Sequence, residues 1–349
     1  MTKVFIIIVN YNGQKYLPAL FSSLDKQTTK AEIILVDNHS TDNSVVFVEQ
    51  SYPDVKIIKN QENLGFAQGN NVGIQYALDN KADYIALLNQ DTRVEPDWLE
   101  KLIKKMEADK KIASSQPTIL LWPDKDKINS LGNEIHFLGF GFTRGNGENI
   151  SFLNKNDLNK DDIKEVTYCS GAACVFRVEA LKQVGLFDER LFMYHEDLDL
   201  GWRFRLAGYK NVLVSEAVIY HEYHFSQAKY KYYYMERNRY WVLLKNYRLF
   251  TLLLILPAMI VMELGLWLFA IIKGWWWEKL KGYFSLLFNL AYILEERYKI
   301  QKLRKVSDRR ITRLFVSSID YQEISNPLLK YIGNPLMVVY WNLAKWFII

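Results

Sequence analysis

Thiols are nearly missing from this chain: Cys169 and Cys174 are the only cysteines among its 349 residues. No second pair exists to complete a zinc site, so both read as buried thiols in the apolar segment Tyr168-Cys-Ser-Gly-Ala-Ala-Cys-Val-Phe176, in a reducing compartment. No charged region followed by a cleavable apolar stretch precedes the first strand, so export by a signal peptide is not expected and the front domain is expected to face the cytoplasm. Excess charge is also small. A net charge of +5 does not by itself argue for nucleic acid. No internal repeat and no low-complexity tract occurs. The first apolar run is followed by Asn10-Tyr-Asn-Gly-Gln14 and not by Gly-x-Gly-x-x-Gly, which removes the dinucleotide-binding dehydrogenases. The same loop lacks the Gly-rich, basic phosphate cradle of a nucleotidyltransferase.

What is present is apolar and aromatic. Half of the residues are hydrophobic, and Tyr and Trp crowd after about Tyr220, which fits a membrane–water interface better than an average soluble domain. The length exceeds what one core usually organises. We expect a catalytic domain over 1–227 and a helical, membrane-associated region over 228–349. In the second part, Arg297, Lys299, Lys302, Arg304, Lys305, Arg309, Arg310 and Arg313 form a basic cluster opposed within it only by Asp308, for which anionic membrane lipid is the expected partner. Nucleic acid is not, because no binding motif accompanies the cluster.

Along the front part, strand and helix alternate. Val4 to Val9 is a β-branched and aromatic run that reads as a buried parallel strand, and Leu17, Leu20, Phe21 and Leu24 recur at helical spacing. Strands follow at Glu32–Asp37, Val55–Lys59 and Tyr84–Asn89, with helices beginning near Thr41 and Gly69. This order predicts an α/β fold with a mostly parallel sheet flanked by helices. Ligands of such sheets collect at the carboxyl ends of the strands, where Asn10, Tyr11, Asn12, Asp37, Asn38, Asn89 and Asp91 stand. Residues from about Ile112 to Glu165 look irregular and are expected to form a long, mobile acceptor-side insertion.

Three segments carry candidate chemistry. In His195-Glu196-Asp197-Leu198-Asp199, the adjacent acids Glu196 and Asp197 point about 100° apart on a helix; one can enter a cleft while the other is held by Arg203 or Arg205. The alternative is a surface ion-pair network. Asp91, in Leu88-Asn89-Gln90-Asp91-Thr92, ends an apolar strand and either caps a helix or faces a ligand. His221 is either structural or, with a carboxylate, a suitable ligand for Mg2+ or Mn2+ bound chiefly to a diphosphate.

Taken in order, Val9-Asn-Tyr-Asn12, Ile34-Leu-Val-Asp37-Asn38-His-Ser40-Thr41-Asp42, Asn63-Leu-Gly65-Phe66-Ala67-Gln-Gly69-Asn70-Asn71-Val-Gly73, Leu88-Asn89-Gln-Asp91-Thr92, Ser170-Gly171-Ala172-Ala173 and His195-Glu196-Asp197-Leu-Asp199 resemble a family-2 glycosyltransferase of the rhamnosyltransferase-like branch, over about Lys3 to Ser226. The resemblance implies a GT-A fold and inverting transfer from a nucleoside-diphosphate sugar, dTDP- or UDP-linked. By similarity Tyr11 and Asp37 would hold the nucleobase, with Asn12, Asn38, Asn70 and Asn89 beside the donor. Asp91 matches the last acid of the Asp-x-Asp metal motif and would bind the divalent cation with His221. Asp197 would be the general base, with Glu196 and Asp199 as supporting or orienting acids. Asn89 departs from the family pattern, since many relatives have Asp there, and removes one negative charge from the metal site. No Gln-x-x-Arg-Trp segment is found, so a single addition is expected and not processive synthesis. A polyprenyl-diphosphate-linked saccharide is the implied acceptor and L-rhamnose the implied sugar. The competing reading is a membrane-tethered scaffold that binds nucleotide sugar without turnover.

Behind the catalytic part, Ala228 to Arg248 interleaves Lys, Arg, Tyr and Trp and is expected to lie at headgroup level, with Arg237 or Arg239 a candidate for the donor's diphosphate. Thr251 to Ile272 is long enough to cross a bilayer, although it contains Pro257 and Glu263. A single crossing would put the basic cluster outside, against the positive-inside tendency, so a re-entrant hairpin or in-plane helices are expected.

Overall fold

The computed structural model describes residues 2–152, 163–223, 228–319 and 327–349. The elements run β1 (Val4–Asn10), α1 (Leu17–Leu24), β2 (Glu32–Asp37), α2 (Ser44–Ser51), β3 (Lys56–Lys59), α3 (Gly65–Asp79), β4 (Tyr84–Asn89), β5 (Thr92–Val94), α4 (Trp98–Ala108) and β6 (Ile112–Leu121). The short strands β7 (Ile128–Ser130), β8 (Asn133–Ile135), β9 (Gly141–Thr143) and β10 (Ile163–Val166) follow, then β11 (Ala173–Arg177), α5 (Val178–Val184), α6 (Glu196–Leu206) and β12 (Lys210–His221). The remainder is helical: α7 (Lys229–Asn246), α8 (Leu249–Lys273), α9 (Trp276–Phe288), α10 (Leu290–Leu303), α11 (Asp308–Ile311) and α12 (Asn334–Ala344).

One ten-stranded sheet carries the first part, in the order β10-β12-β6-β11-β4-β1-β2-β3, with β5 added on β12 and β7 on β6. The β4-β1-β2-β3 half is parallel, and β11 enters antiparallel between β4 and β6. The α/β reading therefore holds. β1 is an almost uninterrupted apolar run because both faces are covered. α3 packs so close that a Cβ on Gly73 would come within 2.6 Å of the Ile7 side chain. On the other face, Leu20, Phe21, Trp98, Leu102 and Met106 of α1 and α4 are fully buried against Ile6, Ile8 and Ala86. Truncating Phe21 to Ala would cost about 3–5 kcal/mol, the usual loss for a large buried ring.

The segment expected to be irregular contains β6, a ten-residue strand with nine buried residues. Its small polar residues hide it from hydrophobic patterning, because Ser114, Ser115, Gln116 and Thr118 are buried and satisfied by hydrogen bonds, such as Ser114 Oγ to Asn211 Oδ1 at 2.8 Å. Residues 153–162 of that segment lie outside the described residues, as does 224–227 at the end of the family resemblance. Cys169 and Cys174 are buried and unbridged, and burial pushes the Cys169 thiol up to about 12.

By internal contacts the chain forms two compact units. The first comprises Met1–Asn133, Thr143–Phe204 and Tyr209–His224; the second comprises Glu134–Phe142, Arg205–Gly208 and Phe225–Ile349. In the second, α7 packs on α9 and α10, and its Glu236 to Arg239 stretch is buried. Within the helix expected at headgroup level over Ala228–Arg248, the half from Glu236 to Asn246 is thus largely interior, where neighbouring helices supply partners for its charges, while Lys229 and Tyr230 are exposed. Arg297 and Arg304 of the basic cluster are also committed internally. Arg297 donates to the carbonyls of Leu244 and Tyr247, and Arg304 donates to that of Asn246 and pairs with Asp308 at 2.6 Å, closing the carbonyl end of α7. Among the described residues one helix, α8, is long and apolar enough to cross a membrane.

Candidate active site

The loops at the ends of β1 and β2 are tied into one cradle. Asn10 Nδ2 lies 2.8 Å from Asp37 Oδ1, 2.9 Å from Ser40 Oγ and 2.8 Å from Ser44 Oγ. Asn12 accepts from Thr41 N at 2.8 Å, and its own N–H donates to Ser40 Oγ at 2.9 Å. Asp37 is buried; Oδ1 takes Asn10 and Ser40 Oγ, while Oδ2 accepts only Ser40 N at 3.1 Å. That oxygen keeps capacity for a ligand N–H. Tyr11 is 48% exposed, and Gln90 fixes its backbone by accepting from its N–H at 2.9 Å and donating to its carbonyl at 3.2 Å. Nothing in the sequence around Gln90 signals this part, since its partner lies 79 positions away.

Asn38 and Asn70 are engaged within the protein. Asn38 donates to Gly65 O at 2.8 Å and accepts from Asn60 at 2.9 Å; Asn70 donates to Phe66 O at 2.9 Å. Asn38 thus ties the end of β2 to the start of α3, whereas the Asn70 bond stays within α3. Arg237 lies in the second unit, where its guanidinium sits over the rings of Tyr233, Tyr234 and Trp241 and donates to Asn238.

Strand β5 pairs with the end of β12, placing Thr92 opposite His221. This brings His221 Nε2 to 3.2 Å from Asp91 Oδ1, yet that buried oxygen accepts no hydrogen bond. Asn129 explains why. Its Oδ1 lies 2.9 Å from His221 Nδ1, and its Nδ2 donates to Asn146, which turns the amide oxygen toward the ring. In the tautomer with its proton on Nδ1, the ring donates to Asn129 and Nε2 presents a lone pair to the carboxylate oxygen; with both nitrogens protonated, it pairs with Asp91 as an ion pair. In the neutral form the two facing electron-pair donors repel unless a cation lies between them. Their spacing resembles the roughly 3 Å between neighbouring ligands of an octahedral ion. The residues fit a divalent cation, although no group of three or more His, Cys, Asp or Glu is gathered as a metal cage among the described residues. Asn129 lies 92 positions from its partner and left no local sequence signal.

The acidic segment begins at a strained turn. Phe192, Tyr194 and His195 all have positive φ, at 64°, 65° and 68°, a region disfavoured for bulky residues and concentrated at functional sites. The Phe192 carbonyl accepts from Phe66 N at 2.8 Å and Ala67 N at 3.1 Å, satisfying donors at the start of α3. Gly65 has a φ of 73°, and a Cβ there would collide with Phe192. Arg203 does not hold Glu196 or Asp197. It pairs with Asp199 at 2.9 Å and donates to the carbonyls of Val184, Gly185 and Leu186, because i,i+4 spacing aligns it with Asp199.

Asp197 is held by backbone instead: Oδ2 accepts from Gly171 N at 3.1 Å and Oδ1 from Leu198 N at 2.8 Å. Burial raises its carboxyl to about 6 against those two hydrogen bonds. Glu196 is buried with Oε2 unpartnered, and burial followed by the charge of Asp197 raises it well above the usual carboxylate range. The Gly171 turn also reaches β4, since Asn89 N donates to Ala172 O at 2.9 Å. Thus Asp91 and His221 meet directly, and Asp197 joins the same strand ends through Gly171, Ala172 and Asn89.

The sequence profile described as Glycosyl transferase family 2 matches residues 5–185. An N-acetylglucosaminyl-diphospho-decaprenol L-rhamnosyltransferase of Mycobacterium tuberculosis is 27% identical over 237 residues, 63% of this chain and 76% of that protein. Rhamnosyltransferase WbbL of Escherichia coli is 30% identical over 218 residues, 59% of this chain and 78% of that one. A dTDP-rhamnosyl transferase, RfbF, of Shigella flexneri is 28% identical over 60% of this chain and 64% of its own length. Among solved structures, GalNAc-T7 with UDP, GalNAc and Mn2+ superposes with a TM-score of 0.56 at 18% identity, covering 70% of this chain and 48% of that one. S. aureus TarS 1-349 with UDP gives 0.51 at 16% identity, covering 99% and 90%. At such identities these two speak to the fold, which is GT-A-like. With the profile spanning more than half of its length and the strand-end residues arranged around one cradle, the chain belongs to glycosyl transferase family 2, as a rhamnosyltransferase-like member.

Proposed function

We propose that this glycosyltransferase moves L-rhamnose, with inversion, from a dTDP-linked donor to a hydroxyl of a polyprenyl-diphosphate-linked saccharide on the cytoplasmic face of a membrane, in cell-surface polysaccharide synthesis. Catalysis belongs to 1–227 and membrane association to 228–349. The observation that carries the reading is the Asp91–His221 pair, a carboxylate oxygen and an imidazole nitrogen brought to 3.2 Å at the paired ends of β5 and β12. A divalent cation, Mg2+ or Mn2+, held there together with the donor's diphosphate would supply Lewis-acid stabilisation of the leaving group. The M. tuberculosis and S. flexneri relatives named above support the donor and the acceptor class.

The chain's own residues divide the remaining work. Tyr11 offers an exposed ring to a base, and Asp37 Oδ2 an acceptor to a base N–H. Asn12 shapes the turn beside them. Asn89 would hydrogen-bond a ribose hydroxyl or a cation-bound water, Asn38 holds the start of α3, and Asn70 lies near the nucleotide. Asp197 takes the proton from the acceptor hydroxyl. Its raised carboxyl is a stronger base than an ordinary aspartate, and its two backbone hydrogen bonds fix the direction of attack. Glu196 excludes solvent beside it and keeps it basic.

Purified protein supplied with lipid-linked acceptor should release dTDP from dTDP-rhamnose faster than UDP from UDP-sugars. The product should carry the anomeric configuration opposite to that of the donor, and chelation should remove most turnover. Retention of configuration would overturn the single-displacement reading. Release from no sugar nucleotide would leave the scaffold.

A further inference from the structure

The second unit has its polarity reversed. Glu236, Arg239, Lys245 and Lys279 are buried in it, while the exposed stripe Leu253, Leu256, Ile260, Leu264, Leu268 and Ile272 runs the length of α8 at helical spacing. Glu263 stands in the middle of α8 on another face. It accepts from Arg239 of α7 at 2.5 Å and from Lys279 of α9 at 2.8 Å, and both cations also pair with Glu236. These contacts set α8 antiparallel to α7. α8 starts where α7 ends, Glu263 meets Arg239 halfway, and Trp275 just beyond α8 stacks on Tyr232 near the start of α7 at 4.8 Å.

This alignment decides between crossing a bilayer and lying along it. If α8, about 37 Å long at 1.5 Å per residue, stood upright, α7 would stand beside it. α7 carries Lys229, Lys231, Glu236, Arg237, Arg239 and Lys245, a charge density that hydrocarbon does not accept. α9, about 20 Å long, is also too short to return across a hydrocarbon core of roughly 30 Å. Beyond these helices, Lys302, Lys305, Arg309, Arg310 and Arg313 are exposed, complementary to an anionic surface. We infer that the second unit lies in the plane of an anionic bilayer, with the outward apolar stripe of α8 immersed in one leaflet and the charged α7 shielded behind it. This deepens, and rests on, the membrane part of the proposed function.

The test uses the full chain and vesicles of phosphatidylcholine, with or without phosphatidylglycerol. The native cysteines are buried, so single labels at Leu253→Cys, Leu264→Cys and Ile271→Cys report on α8 alone. Quenching by lipids spin-labelled at graded depths should place all three at one shallow depth, and an impermeant thiol reagent outside the vesicle should reach a control Lys273→Cys. A depth gradient along α8, or protection of Lys273→Cys until the vesicle is opened, would establish a crossing and overturn the inference. Replacing Arg309, Arg310 and Arg313 together by Ala should weaken binding to the anionic vesicles on the order of a hundredfold. Circular dichroism checks the fold of each variant. If the chain floats with neither vesicle, or sediments as a dimer with the α8 label shielded, the inference fails. Sugar transfer to a water-soluble acceptor would still stand in that case, which separates this failure from failure of the glycosyltransferase reading.

Discussion

The two units bury charge in opposite ways. In the first, Glu196 and Asp197 sit side by side with no Lys or Arg paired to either among the described residues, and both carboxyls are raised by burial. In the second, Arg239, Lys279, Glu236 and Glu263 form a closed quartet with two charges of each sign. Exposure follows the same contrast: among the described large exposed hydrophobics only Tyr11, Val46 and Ile150 belong to the first unit, and every other one belongs to the second. Unpaired buried charge is a cost that a fold tolerates where chemistry needs it. Paired buried charge lets a segment bring polar residues into an apolar setting and fixes which helices meet. The lesson is that a buried carboxylate means reactivity in one unit and alignment in the other, and its partners tell which.

The largest effect that sharpens this contrast is loss of turnover. Asp197→Asn should lower kcat on the order of a thousandfold, within the range for removing a positioned base, while donor KM stays within about twofold. Steady-state nucleotide release at saturating donor measures it, and near-wild-type turnover would remove Asp197 from the mechanism. Next comes one substitution made in both units. Glu236→Gln leaves Arg239 and Lys279 sharing a single carboxylate and should cost about 3 kcal/mol. Glu196→Gln removes a side chain that prefers to be neutral in place and should leave the melting temperature unchanged or higher. Thermal unfolding of both variants reads the difference in sign, and equal destabilisation would break the contrast.

How much of this was legible in the sequence follows from where the partners lie. β1, β2 and β4 announce themselves because apolar runs buried on both faces need no context, and the polar residues at their ends fall where parallel sheets bind ligands. β6 does not, since Ser114, Ser115 and Gln116 become acceptable in a core only once Asn211, Ser130 and other distant groups satisfy them. At the site, Asp91, Asp197 and His221 stand out by motif. The groups that set their chemistry, Asn129 on the imidazole and the Gly171 amide on Asp197, act across 92 and 26 positions. The apolar character of α8 is plain from composition, whereas its orientation rests on Glu263 meeting Arg239 and Lys279, a tertiary fact.

The smallest expected effect is also the one that links stability to catalysis within the first unit. Asp197 titrates near 6 when folded and near 3.9 in an unfolded chain. Between those values the folded state holds more protons, so stability falls as pH rises from about 4 to about 6 and is level on either side of that window. Turnover runs the other way, because only the ionised carboxylate accepts the proton: kcat should rise about tenfold per pH unit below 6 and level off above it. Comparing wild type with Asp197→Asn isolates the group. Their melting temperatures should draw a few degrees further apart between pH 4 and pH 6, with wild type losing ground. A constant separation would mean that Asp197 titrates alike in both states and that its burial does not set its basicity.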